Sequence, residues 1–192
     1  MHSIELLLDE AADQRVRDEW AALAAADLPS LADHAGASNA PHVTLLARPV
    51  VDPRHDEALA ALLGELLPLP LATGAPLVFG RPGRGGRGGW VLARSVVPTA
   101  ALLDLHRRVH ELASGEGDVP HTAPGAWSPH VTLAHRLTAT TLARALEVLA
   151  DEEARVASPP TRASSSSDVA AAARRWDSDA REVVALGPAR EA

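Results

Sequence analysis

Cysteine is absent from this 192-residue chain, which removes disulfides, thiol nucleophiles and cysteine-based zinc sites from consideration. Lysine is absent as well, so every cation apart from histidine is arginine, and acids outnumber bases to give a formal net charge of −7. Tight, sequence-independent binding to long nucleic acid uses a broad basic surface that displaces counterions. No such surplus exists here, which argues against a protein that coats RNA. A small ligand or a strand end stays open if one phosphate and its neighbours meet a locally basic cleft. Aromatics are scarce, only Phe79, Trp20, Trp90, Trp127 and Trp176, so platforms for stacked bases are few. No apolar run approaches the length of a membrane span. The opening MHSIELLLDE has acids beside its short apolar stretch instead of a basic n-region, and a cytoplasmic protein without membrane contact is expected.

What is present reads as one domain over 1–192, long enough to bury a core and open to a build of two similar lobes. Residues 3–8 look like an opening strand. Over 10–26 a helix is expected, with Val16, Trp20 and Leu23 on one face. The stretch 33–40 reads as a loop leading through Pro41 into a strand at 42–47. Asp52-Pro53 supplies an N-cap with proline at the first helical position, and Leu59, Leu62, Leu63 and Leu66 line the helix that runs to about 67. Strand-like runs near 71–79 and 89–97 flank the Arg-Gly tip 80–88, a hairpin pattern. Thr99 caps a third helix with Leu102, Leu105, Val109 and Leu112 in its stripe. After a loop at 114–126 comes a strand at 130–135. A fourth helix opens at Thr138 and carries Leu142, Leu146 and Leu149. Residues 151–167, with Pro159-Pro160 and four consecutive serines, read as a flexible low-complexity segment. Two last strands are expected at about 168–175 and 181–186.

One pentamer occurs twice. Pro41-His42-Val43-Thr44-Leu45 returns letter for letter as Pro129-His130-Val131-Thr132-Leu133, with Arg48 and Arg136 at matching offsets. At ~0.07 match probability per position and roughly 18,000 position pairs, chance gives such a repeat in about 3% of chains. Each copy is followed by a capped helix, so two lobes of like structure are the simplest account. Side chains alternate along a strand, which sets His42 and Thr44 on one face and Val43 and Leu45 on the other. The second copy behaves identically. If a pseudo-twofold relates the copies, two imidazoles and two hydroxyls surround one small volume.

That set of groups suits phosphodiester cleavage. A neutral histidine takes a proton from the attacking water or hydroxyl, and a protonated one gives a proton to the leaving oxygen. The threonine hydroxyls donate to non-bridging oxygens, where charge builds in the transition state. Neither a metal nor another cofactor is called for. Which histidine is the base cannot be read from a near-symmetric repeat.

The arrangement resembles the two-histidine (2H) phosphoesterase superfamily, in particular the bacterial branch of 2'-5' RNA ligases and RNA 2',3'-cyclic phosphodiesterases, defined by two His-x-Thr/Ser-x motifs with an apolar last position. Trp127-Ser128-Pro129 and Arg174-Arg175-Trp176-Asp177 are similar to that branch too. The resemblance implies an α+β fold of two pseudo-symmetric lobes, each an antiparallel sheet backed by helices, with a central cleft. It implies His42 and His130 as the acid–base pair and Thr44 and Thr132 as phosphate contacts. The reaction implied is opening of 2',3'-cyclic phosphates, usually to 2'-phosphates, or action on 2'-5' linkages without ATP. The expected partner is a small cyclic phosphodiester or an RNA 3' end, bound by a monomer. Several RNA-acting members carry a basic residue where this chain has Ser128.

Other residues have plainer readings. Arg81, Arg84 and Arg87 of the tip are candidate contacts to a phosphate backbone, although a solvated hairpin loop is the more ordinary reading of Arg-Gly composition. Arg48 and Arg136, six residues beyond the histidines, are expected in surface salt bridges. His106 and His110 stand at i, i+4, but Arg107 replaces the acid of a His-Glu-x-x-His zinc pattern, and both are expected in solvent beside the apolar stripe. One of His34, His121 and His135 could line the cleft, and Trp127 is expected to pack beneath a strand. A non-catalytic binder of RNA ends or nucleotides uses the same cleft. A metal-dependent hydrolase lacks clustered ligands.

Overall fold

The alternation read from the repeat is what organises the molecule. Val43, Leu45, Val131 and Leu133 have no exposed surface, while His42, Thr44, His130 and Thr132 between them are only half-buried. A computed structural model describes residues 1–34, 36, 38–81, 88–156 and 168–187. The two motifs open strands β2 (His42–Arg48) and β6 (His130–Leu137). Around them are β1 (His2–Leu8), β3 (Leu69–Pro70), β4 (Thr73–Gly80), β5 (Trp90–Val96), β7 (Val169–Asp177) and β8 (Glu182–Ala185). These form one antiparallel sheet in the order β3-β7-β1-β2-β6-β5-β4, with β8 beside β7. The architecture is α+β, as expected. Its halves meet at a narrow seam, since the register of β2 against β6 consists of the single pair Val43↔Val131. The motifs are therefore on neighbouring strands of one sheet, and no cleft between separate lobes is needed to unite them.

Helices α1 (Glu10–Ala25), α2 (Asp56–Leu66), α3 (Ala100–Ala113) and α4 (Ala139–Val156) cover the apolar face. Val16, Leu23, Leu59, Leu63, Leu102, Leu105, Val109 and Leu149 join Val43, Leu45, Val131 and Leu133 in one buried core. Burial of such side chains contributes roughly 1.5–3 kcal/mol each. The pairing is crossed. α1, which follows β1 in the chain, packs on α4 and β6, whereas α3 packs on α2 and β2. Capping chemistry fixes the helix starts: Asp9 accepts from the Ala12 amide at 2.9 Å, and Thr99 from that of Leu102 at 3.2 Å. Thr138 and Thr141 cap each other's amides, and Asp52 accepts from the Arg54 amide in a 3-10 turn, Pro53–His55, ahead of α2.

Several expectations change. Residues 151–156 are the last turns of α4 instead of loose chain, because Ala145 and Leu149 keep that helix seated on the core; 157–167 lie outside the described residues. Leu112 and Leu146 are exposed, the apolar stripe having rotated past them onto Ala113 and Ala145. The loop at 33–40 begins as a 3-10 turn, Leu31–Asp33. Among the described residues, no helix is long and apolar enough to cross a membrane.

Candidate active site

A residue pair in an antiparallel ladder has a local twofold axis through its midpoint, and here that midpoint is the centre of both motifs. With Val43 opposite Val131, His42 falls opposite Thr132 and Thr44 opposite His130, all four on the face away from the helices. The histidines occupy diagonal positions, about 7–8 Å apart by ladder geometry. That leaves room for one phosphate between them. The structure thus brings the four motif residues together.

The backbone around them repeats with the same symmetry. His42 Nδ1 lies 2.8 Å from the Ala40 carbonyl oxygen, and His130 Nδ1 lies 2.7 Å from that of Ser128. A carbonyl only accepts, so Nδ1 of each ring carries a proton and Nε2 is left as the atom that can take or give one. Behind the strands, the Trp20 indole N–H donates to the Thr132 carbonyl and the Trp127 indole N–H to the Thr44 carbonyl, both at 3.0 Å. Each motif is held from behind by a tryptophan from the other half of the sequence. Among the described residues neither threonine hydroxyl has a hydrogen-bond partner, and both are free to donate.

Charge breaks the symmetry. Glu5, opposite Thr44 on β1, sets Oε1 3.6 Å from His42 Nε2. Its carboxylate also accepts from Ser3 Oγ at 2.6 Å and from Arg174 Nε at 2.7 Å. Burial works to raise the Glu5 carboxyl, but the charges of His42 and Arg174, with the bonds from Ser3 and Arg174, outweigh it and hold the group below its ordinary value. The site related to Glu5 by the local twofold is Ala93, opposite Thr132 on β5. On that side His130 faces instead the ring of Phe79, edge-on at 4.8 Å. Burial, then the charges of His42 and His121, push His130 below the usual imidazole range, against the opposing pull of its bond to Ser128. The two rings therefore differ in surroundings while sharing one frame: His42 lies beside a carboxylate, and His130 lies beside an aromatic ring where burial disfavours its charged form.

The remaining candidates divide. Arg81 is exposed just past β4, while Arg84 and Arg87 lie outside the described residues. Arg48 is tied to Asp118 at 3.4 Å and to the carbonyls of Ala113 and Glu116, so it is a partly buried clamp on the α3 terminus instead of a surface pair. Arg136 has no ion pair among the described residues. His106 and His110 are not in solvent beside the apolar stripe as expected. Both are buried, because the loop 114–129 folds over α3: Nε2 of His106 bonds the Thr122 carbonyl at 2.8 Å and that of His110 the Leu45 carbonyl at 3.1 Å. His106 also stacks flat on Trp127 at 3.9 Å, which gives Trp127 its expected packing role. Among the described residues, the one cluster with metal-ligating geometry is His2, Asp177 and Asp179. It stands at the far end of β1, five residues from the Leu7 that pairs with His42.

Glu5, Ser3, Arg174 and Phe79 are additions the repeat did not supply. A lone acid in an apolar strand, and an arginine in another, were the available signal, since such residues are almost never fully buried unless paired. A family model described as the 2'-5' RNA ligase superfamily matches residues 10–164. No curated protein matches the chain.

Proposed function

Because the chain belongs to the 2'-5' RNA ligase superfamily, within the 2H phosphoesterases, we propose that it is a metal-independent phosphodiesterase opening 2',3'-cyclic phosphates, of RNA ends or small nucleotides, or cleaving 2'-5' linkages. The observation that carries this reading is the pair of Nε2 atoms left without a backbone bond, one from each motif, on one face around the Val43–Val131 pair.

In the proposed reaction His130 is the base and His42 the acid. His130 Nε2 takes a proton from water as its oxygen attacks phosphorus. One ring P–O bond breaks, and the departing sugar oxygen receives the proton from His42 Nε2. The products are a phosphomonoester and a free hydroxyl, and proton exchange with solvent restores both rings. Thr44 and Thr132 donate to the non-bridging oxygens, where hydrogen bonds strengthen as charge accumulates. The Glu5 carboxylate stands 3.6 Å from the His42 Nε2 that acts in this step. At a 2'-5' linkage the same displacement applies, with the neighbouring sugar as leaving group.

Turnover of 2',3'-cyclic mononucleotides and cyclic-phosphate-ended RNA by purified protein, with and without EDTA, tests this. Turnover in EDTA is expected, with a loss of about 10²–10⁴-fold in both His42→Ala and His130→Ala and folding retained. Full activity in both variants, or binding of the cyclic nucleotide without turnover, defeats the assignment.

A further inference from the structure

We propose that His106, buried on α3 and outside the four motif residues, is a positioning residue: its flat contact with Trp127 holds the backbones of both motifs in place. This rests on the phosphodiesterase reading and names a residue on which the geometry of that reading depends.

Trp127 touches both motifs. Its indole N–H donates to the Thr44 carbonyl of the first at 3.0 Å. Its own main chain leads directly to Ser128, whose carbonyl oxygen lies 2.7 Å from His130 Nδ1 of the second. A shift of this residue therefore disturbs the Thr44 backbone and the bond that orients His130 together. The sheet offers little resistance to such a shift, because β2 and β6 are paired only at Val43↔Val131. The restraint comes from His106. Its ring lies on the indole with centroids 3.9 Å apart and planes 2° from parallel. Its Nε2 donates to the Thr122 carbonyl at 2.8 Å, so the loop that carries Trp127 is tied at a second point to the same side chain. The helix beneath is anchored in turn by His110, whose Nε2 lies 3.1 Å from the Leu45 carbonyl oxygen of β2.

His106 is 2% exposed and sits on the helix side of the sheet, so it does not reach substrate and acts through Trp127. The other half of the molecule has a matching hold. Asn39 stands three residues before His42, as Trp127 stands three before His130. Arg17 of α1 donates to the Asn39 carbonyl at 3.2 Å and lies over the Trp20 ring at 5.6 Å. Trp20 is the tryptophan that donates to the Thr132 carbonyl. On each side, then, a basic side chain from a helix grips the chain three residues ahead of a motif histidine and rests on a tryptophan that holds a motif carbonyl. Burial of apolar surface alone gives no reason for that correspondence, whereas a requirement to fix both motifs does.

Two substitutions separate position from stability. His106→Gln keeps a donor for the Thr122 carbonyl and loses the flat ring, whereas His106→Phe keeps the ring and loses the donor. Both are measured for kcat and KM on a 2',3'-cyclic mononucleotide, beside Trp127→Phe, which lacks the indole N–H, and Arg144→Gln on the exposed face of α4. His106→Gln is expected to lower kcat by about tenfold or more with KM nearly unchanged, since small misplacements of reacting groups are costly. His106→Phe should recover most of that loss, and Arg144→Gln should lose nothing. Added to Trp127→Phe, His106→Gln should cost less than its separate factor, as residues acting along one path do. If His106→Gln does not fold, His106→Leu takes its place with the same expected loss. Wild-type kcat in the folded variant, equal losses in His106→Gln and His106→Phe, or factors that multiply in full overturn the proposal. If the wild type turns over no substrate, the phosphodiesterase reading fails separately. Nitrogen NMR of the imidazoles then decides the positioning: loss of the single Nδ1–H tautomer of His130 in His106→Gln supports it, and an unchanged tautomer sinks it.

Discussion

Glu5 stands alone among Ile4, Leu6, Leu7 and Leu8, and its carboxylate is held under the sheet surface by Ser3 and Arg174. A carboxylate so placed neighbours His42, and the matching position beside His130 is Ala93. In the proposed mechanism the rate needs His42 protonated and His130 neutral, giving a bell-shaped dependence of kcat/KM on pH. The acid limb belongs to His130 and lies below the usual histidine range, since burial disfavours its charged form. Replacing Glu5→Gln removes the carboxylate beside His42 Nε2, and kcat/KM should fall by about tenfold or more while the acid limb, set by the burial of His130, stays in place. Unchanged kcat/KM in the folded variant would show that Glu5 is only structural. A buried arginine left unpaired also costs about 3 kcal/mol or more, so the profile is to be read alongside a denaturant curve. The four motif residues were legible in the sequence because a five-letter repeat carries them. Glu5 was not, because its role depends on register: only the pairing of β1 with β2 brings residue 5 beside residue 44.

Elements were more legible than their irregularities. The order of strands and helices follows from apolar periodicity and from caps at Asp52, Thr99 and Thr138, each of which makes the expected bond. The bulges did not show. Leu45 and Leu46 are both fully buried because β2 bulges against β1 between Ile4 and Glu5, and a bulge at His135–Arg136 likewise leaves no periodic mark. The histidines of α3 were misplaced for a related reason: their spacing is the same whether loop 114–129 covers them or not. That cover has a measurable effect. Burial, then the nearness of His110, lowers His106 from its ordinary value to about 4, so the folded ring is neutral where the unfolded one, near 6.5, is charged. Between those values the unfolded chain holds the extra proton, and stability falls as pH drops from about 6.5 to about 4, by on the order of 3 kcal/mol. Urea denaturation across that range should show the slope, and His106→Gln should flatten it. An unchanged slope in the variant would place the acid sensitivity elsewhere.

At the scale of the molecule, the crossed packing matters more than the thin seam of the sheet. The single pair Val43↔Val131 joins the two groups of strands, a slender connection taken alone. Yet α1 reaches from the first half of the chain to β6, and Trp127 reaches back from the second half to β2. Neither half keeps its motif carbonyl satisfied without the other, and an unsatisfied buried carbonyl costs about 1–3 kcal/mol. Unfolding should therefore be one cooperative event: tryptophan emission, which follows Trp20, Trp90, Trp127 and Trp176 together, and far-UV circular dichroism should give coincident transitions. Two separated transitions would mean that the halves fold alone. The repeat suggested two pseudo-symmetric lobes, each with its own sheet, whereas the strands form one sheet, because strand order is set by which edges meet.

The near-twofold frame has a chemical corollary. A five-membered cyclic phosphate offers two ester oxygens of nearly equal reactivity, and a cradle with matched imidazoles and hydroxyls on both sides accepts it either way round. In the proposed reaction, with Glu5 on one side and Ala93 on the other, the regiochemistry of ring opening becomes a question of charge instead of shape, decided by which oxygen is turned toward His42.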